Sequence, residues 1–327
     1  MRALALACRR TSVEGTSATC LGIEGIDGSD KLALAAVGLL VAARAAIRLA
    51  PWLYAALLRP CKPLRRRYGE WAVVTGATDG IGRAIAFRLA AAGLGLVLVG
   101  RNPDKLAATA AEVRAKHPDK EVRTFVLDLA GEGLAAGVEA LKEAIRGLDV
   151  GVLVNSAGVC YPYARYFHEV DEELMRSLIR VNVEGVTRVT EAVLPGMVER
   201  KRGAIVNIGS GAASAVPSDP LYSVYVGTKA SPNAFMLSTR ARAPLYIATK
   251  ISNITKSSFA VPSADTYARA AVRHIGPEPR CTPYWPHSVM WFLISLFPES
   301  FLDRLLLNRC IKIRSKGLAD DAKKKAQ

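Results

Sequence analysis

Tyr225 and Lys229 close the run YVGTK, four residues apart. On a helix that spacing puts both side chains on one face, a turn apart. A free tyrosine has a pKa of about 10 and is a poor proton relay near neutrality. A neighbouring ammonium favours tyrosinate and lowers that value. Tyr161, Tyr163, Tyr166 and Tyr222 have no lysine four residues on and read as surface or cleft tyrosines. A second cluster is Gly76, Gly80 and Gly82 in TGATDGIG (75–82). Glycines there let a backbone turn tightly and approach a pyrophosphate seated on a helix N-terminus. A later apolar run ends Gly100-Arg101-Asn102. An NAD site usually has an acid at that point for the ribose 2′-hydroxyl, whereas an arginine accommodates a 2′-phosphate. The four histidines have no metal-ligand spacing, and the six cysteines form no CxxC pair. A zinc site or disulfide framework is not expected, and reduced thiols in a cytosol-facing protein are.

These residues need elements to hold them. Trp71–Val74 is a short apolar run before the glycines, and Arg83–Ala92 reads as a helix stopped by Gly93. Leu94–Val99, Val122–Leu127 and Val150–Val154 read as further buried strands, with helices over 104–116 and 134–146 between them. Ile205–Ser210 (IVNIGS) reads as a fifth strand. Repeated strand–helix alternation predicts an α/β fold with a doubly wound parallel sheet.

TGATDGIG, Asn155-Ser156-Ala157-Gly158, the serine ending IVNIGS and YVGTK occur in that order, and together they resemble the short-chain dehydrogenase/reductase family over about 70–281. The resemblance implies a Rossmann domain that moves a hydride between a nicotinamide and a carbonyl carbon. It assigns Tyr225 as general acid, Lys229 as holder of the cofactor ribose and tuner of Tyr225, Ser210 as hydrogen-bond partner of the substrate oxygen, and Asn182 as support for a proton-relay water. Asp128 matches the family's adenine-contacting acid. Gly76, Thr78, Asp79, Gly80, Ile81, Gly82, Arg101, Asn155, Ala157 and Gly158 match its other cofactor-side positions. The flanking LRRRYGEWAVVTGATDGIGRAIAF and PSADTYARAAVRHIG look like the membrane-anchored branch that reduces very-long-chain 3-oxoacyl-CoA thioesters in fatty acid elongation, with NADPH as reductant. The implied partners are an acyl-CoA substrate, the endoplasmic reticulum membrane and other elongase subunits. Relatives reducing 17-keto steroids share most of the pattern and form the alternative.

Charge and apolar patterning agree with a membrane setting. The 327 residues carry a net charge of +15, with 50% hydrophobic and 22% charged residues. Disorder is excluded by that apolar content. The excess charge is concentrated at RPCKPLRRR (59–67) and in 304–325, with no aromatic-interleaved basic stripe of the kind that reads nucleic acid. Leu32–Leu58 carries only Arg44 and Arg48 as charges and is long enough to span a bilayer. The basic run just after it predicts a cytosolic downstream domain. Ser288–Phe297 is too short to span and reads as an interfacial or core helix. Lys324 and Lys325 resemble a dilysine retrieval signal. The expected organisation is an unassigned segment 1–30, an anchor 31–60, a reductase domain 68–281 and a membrane-associated basic tail 282–327.

The chain departs from the family pattern in three places. Asp79 stands where NADP-preferring members often carry a basic residue, so Arg101 alone supports NADP. Ser210 lies slightly further before Tyr225 than usual. Only Ala230–Ala243 separates Lys229 from the point where the pattern resumes at Pro244. An average helix and strand together take about 17 residues, and Pro232 costs an interior helical turn about 3 kcal/mol. The expectation is therefore a truncated region that has lost most of the Tyr–Lys helix, normally the dimer face, and the next strand. A catalytically impaired product is the rival this predicts, and dimerisation stays open.

Overall fold

The computed structural model describes residues 28–326 except 59, 61, 217, 236–239, 243 and 277–279. Most of the unassigned 1–30 segment lies outside the described residues.

Two units make up the chain, dividing after Tyr54. The first holds helix α1 (Gly28–Leu53), which continues as a π-helical turn over Tyr54–Leu58. Its side chains Leu32, Leu39, Leu40 and Ile47 are exposed. At 1.5 Å per residue, 26 residues reach about 39 Å, against a hydrocarbon core of about 30 Å. By length and composition the segment Ser29–Ala56, with mean hydropathy 2.0, can cross a membrane.

The second unit opens with the short helix α2 (Leu64–Tyr68) and is built on a parallel sheet covered on both faces. Its strands are β1 (Trp71–Thr75), β2 (Gly95–Gly100), β3 (Val122–Val126), β4 (Val150–Asn155), β5 (Ala204–Ile208), β6 (Arg240–Arg242) and β7 (Arg280–Cys281), in the order β3-β2-β1-β4-β5-β6-β7. Side chains alternate faces along a strand. Ala72, Val74, Leu96, Leu98, Val152 and Val154 therefore pack on one side, against α3 (Gly80–Ala91), α4 (Pro103–Lys116) and α9 (Ala264–Arg273). Val73, Val97, Val99 and Leu153 pack on the other, against α5 (Leu134–Ala144) and α7 (Val186–Glu199). Burial on both faces explains why these strands read as continuous apolar runs. The order reverses between β1 and β4, and the crevice at such a switch point is where open α/β sheets bind ligands. The glycine turn follows β1, and Asn155–Gly158 follows β4.

The shortened region after Lys229 is more complete than the sequence predicts. Helix α8 (Ser223–Phe235) runs through Pro232 for 13 residues. β6 then pairs with β5 at Val206–Arg240, Asn207–Ala241 and Ile208–Arg242. No apolar run announces this strand, because a three-residue parallel pairing is made by backbone groups. The missing strand is thus a short one, and β7 extends the sheet by two more residues.

The C-terminal residues form α10 (Trp285–Ser295) and α11 (Glu299–Lys325). Phe292, Leu293, Leu296, Phe297, Phe301 and Leu305 are all at least half exposed along them.

Candidate active site

The glycine turn is sterically specified. Gly76 has φ +65°, and a Cβ there would lie 2.8 Å from the N and Cα of Ala157. A Cβ on Gly82 would overlap the Gly76 carbonyl oxygen. Thr75, which sequence reasoning missed, ties the turn to its neighbour: its Oγ1 accepts from the N–H groups of Ser156 (3.1 Å) and Ala157 (3.2 Å). α3 starts at Gly80, with Asp79 as N-cap accepting from the Gly80 N–H at 2.8 Å. The result is a helix N-terminus behind bare backbone, which suits a pyrophosphate.

Asp79 does not stand alone. Lys250, arriving after β6, forms an ion pair with it at 2.7 Å. Partial burial opposes ionisation there, but the Lys250 and Gly80 hydrogen bonds prevail and hold the carboxyl below its usual range. A basic residue therefore reaches this position from 171 residues away, too distant to be read from the motif. Arg101 is exposed just beyond β2 and forms no ion pair among the described residues. Asp128 is exposed beyond β3, its Oδ1 accepting from the Ala130 N–H at 3.0 Å. Thr78 and Ile81 are half-buried at the start of α3.

The Asn155 side chain is buried in the sheet, donating to Asn207 Oδ1 (2.7 Å) and Thr190 Oγ1 (3.0 Å), so it braces β4 against β5 and α7 at the start of the Asn155–Gly158 turn. Asn182 is likewise a clamp. It lies in a π-helical segment (Arg180–Gly185) between α6 (Glu172–Ile179) and α7, fully shielded from solvent. Its Nδ2 donates to Val159 O (3.0 Å) and Thr228 Oγ1 (3.1 Å), and its Oδ1 accepts from the Val159 N–H (3.0 Å). Both amide hydrogens are committed, so the side chain fixes the Gly158 turn and α8, while Oδ1 accepts one bond and keeps a second lone pair.

Tyr225, Lys229 and Ser210 converge as the sequence predicts. Ser210 lies two residues past β5 with its side chain beside Tyr225, its Oγ accepting from the Ala212 N–H at 3.2 Å. Lys229 is one helical turn on, buried, its Nζ donating to Ile208 O at 3.3 Å. A Cβ on Gly158 would stand 3.0 Å from that Nζ. No carboxylate pairs with Lys229 among the described residues, and burial lowers its pKa to about 8. The expected lowering of Tyr225 by Lys229 is not found. Burial pushes the tyrosine above its ordinary value, and the nearby Ser210 side chain offsets that only in part. The ammonium points at Ile208 O and Gly158 instead. Cys160, which no motif flagged, is pushed up to about 12 by burial, and Asp219 is pushed up to about 6 by burial against the pull of Cys310 and Arg309.

A glycine cradle at the switch point fits a dinucleotide, and an unpaired buried lysine beside a Ser–Tyr pair fits hydroxyls and a carbonyl. That combination defines a nicotinamide-dependent oxidoreductase of the Rossmann type. The family model for short chain dehydrogenase matches residues 70–255, and the chain belongs to that family. It is 42% identical over 284 residues to a very-long-chain 3-oxoacyl-CoA reductase-like protein of Arabidopsis thaliana, covering 82% of this chain and 90% of the relative. With the very-long-chain 3-oxoacyl-CoA reductase of Mus musculus the identity is 36%, over 77% and 85% of the two chains. A short-chain dehydrogenase from Sphingobium yanoikuyae, solved in complex with NADPH, superposes with a TM-score of 0.58 at 28% identity, covering 69% of this chain and 92% of that one.

Proposed function

We propose that this chain reduces a very-long-chain 3-oxoacyl-CoA to the 3-hydroxyacyl-CoA with NADPH. The carrying observation is the convergence of Ser210, just past the end of β5, with Tyr225 and with Lys229 buried one helical turn further on. Bound NADPH would supply the hydride, held by the glycine turn, Ala157, Gly158 and Lys229, with Asp128 near the adenine and Arg101 near the 2′-phosphate. The chain's own residues handle the oxygen. Ser210 and Tyr225 present two hydroxyls to one carbonyl oxygen, and Tyr225 donates its proton as negative charge develops there. A tyrosine held above its ordinary pKa is protonated throughout neutral pH, the form a reduction needs. Lys229, a cation at pH 7 with its value near 8, would hold the cofactor ribose beside the Gly158 turn.

The organisation we propose is an anchor over 31–60, a reductase domain over 68–281 and a membrane-associated tail over 282–327. The exposed apolar side chains of α10 and α11 beside a basic run support the tail's placement on a bilayer surface. The endoplasmic reticulum membrane, with the domain on its cytosolic side and other elongase subunits as partners, is the setting this reading implies.

The test is NADPH oxidation by the full chain with a long-chain 3-oxoacyl-CoA and, separately, a 17-keto steroid. Thioester reduction that Tyr225→Phe abolishes supports the reading. Turnover of the steroid alone transfers it to the hydroxysteroid alternative, and no turnover supports the impaired-chain rival.

A further inference from the structure

Helix α11 turns one continuous stripe toward the substrate side of the domain. Leu302, Leu306, Cys310, Arg314, Gly317 and Asp321 follow at steps of three and four, one face of a helix. Over 19 residue steps that stripe is about 28 Å long. Leu302, Leu306 and Cys310 are buried.

Every polar contact of this face lands on the segments that surround Tyr225. Asp303, beside Leu302, accepts from Ser218 Oγ. Cys310 Sγ lies 3.7 Å from Asp219 Oδ1. Arg314 grips Glu169 with two nitrogens and lies over the Tyr166 ring at 5.0 Å. The Tyr163 hydroxyl donates to Asp321 at 2.7 Å. Arg309, one residue off the stripe, stacks on Tyr246 at 4.3 Å. These partners follow β4, β5 and β6, at the carboxyl edge of the sheet where ligands bind. Asp219 lies in the loop that leads into α8, six residues before Tyr225, so α11 packs against the segment that delivers the catalytic group.

Gly317 sets the closeness of this seat. Glycine is unfavourable in a helix interior. Here a Cβ would overlap the Tyr163 ring, which lies flush on bare helix backbone.

We propose that α11 is the outer wall of the substrate cleft and sets the length of substrate that the Tyr225 site accepts, with Gly317, Cys310 and Arg314 as positioning residues. The proposal rests on the reading of a long thioester as substrate. A wall this long matters to an extended chain and little to a short one. Its position also leaves the opposite face of α11, with Phe301 and Leu305, turned away from the cleft.

The test is Gly317→Leu in the full chain, assayed with acetoacetyl-CoA and a long-chain 3-oxoacyl-CoA, alongside the rate at which Cys310 is alkylated, read by mass spectrometry. Displacing the wall should raise KM for the long substrate about tenfold, a change of about 1.4 kcal/mol. KM for acetoacetyl-CoA and kcat for both should stay within about twofold, and Cys310 should alkylate faster. Tyr163→Ala combined with Gly317→Leu removes the overlap and should restore the long-chain KM. Equal losses for both substrates, or an unchanged long-chain KM with Cys310 newly reactive, overturn the proposal. If the unsubstituted chain reduces neither thioester, the functional reading fails. The seat of α11 is then decided by Cys310 alone: alkylation equally fast in both proteins overturns it, and faster alkylation in Gly317→Leu upholds it.

Discussion

Asn182→Ala removes three hydrogen bonds at a position fully shielded from water. The partners left behind are the N–H and C=O of Val159, half-buried, and the hydroxyl of Thr228, buried. An orphaned buried polar group costs about 1–3 kcal/mol. Thr228 keeps its bond to the Tyr225 carbonyl at 2.8 Å and so falls at or below the low end. Val159 can recover part of its loss from solvent. The sum is a destabilisation of about 3–5 kcal/mol, in the range reached when a buried network is broken. Equilibrium urea unfolding in detergent measures it, with Thr187→Val as a control. Thr187 is exposed on the next turn and donates only to Val183 O, so its loss should stay within about 0.5 kcal/mol. Catalysis should fall as well, because Asn182 orients both the Gly158 turn and α8. A displacement of about 1 Å at the chemistry costs about 100-fold in rate. A stability loss below about 1 kcal/mol, or an unchanged kcat in folded protein, would refute the clamp.

Asp219 gives a pH signature. It ionises near 3.8 when unfolded and near 6 when folded, so the native state binds more protons across that window. Its contribution is present below pH 3.8 and is lost as pH rises through 6. Asp219→Asn should flatten that slope and stabilise the protein at pH 7 by up to about 3 kcal/mol; thermal unfolding from pH 4 to 7 reads both. Arg101→Ala should weaken NADPH binding about tenfold while leaving NADH nearly unchanged, measured by nucleotide fluorescence. Lys250→Ala frees Asp79 to repel the 2′-phosphate and should weaken NADPH likewise, with Asp79→Asn restoring it. Pro232→Ala should stabilise α8 by about 2–3 kcal/mol in urea unfolding, since the helix already runs through that position.

The sequence made the sheet readable because β1, β2 and β4 are buried on both faces and must be apolar throughout. Motif residues sit at strand ends, where chain order and spatial order agree, and so Ser210, Tyr225 and Lys229 converge as expected. What escaped depends on contacts distant in sequence. The Lys250–Asp79 pair joins a late loop to the first turn. The seat of α11 joins residues 303–321 to loops after β4 and β5. Asn155 and Asn182 were found as motif positions, yet their tasks are set by which way a buried amide turns. β6 escaped because backbone pairing needs no apolar signature.

The central claim is that Tyr225, oriented by Ser210 and flanked by Lys229, delivers the proton that completes reduction of a long-chain 3-oxoacyl-CoA. Single-turnover oxidation of NADPH by the reconstituted full chain tests it most directly, comparing the unsubstituted protein with Tyr225→Phe. The account predicts 3-hydroxyacyl-CoA from the first and a rate lower by at least about 100-fold from the second. Equal rates would contradict it.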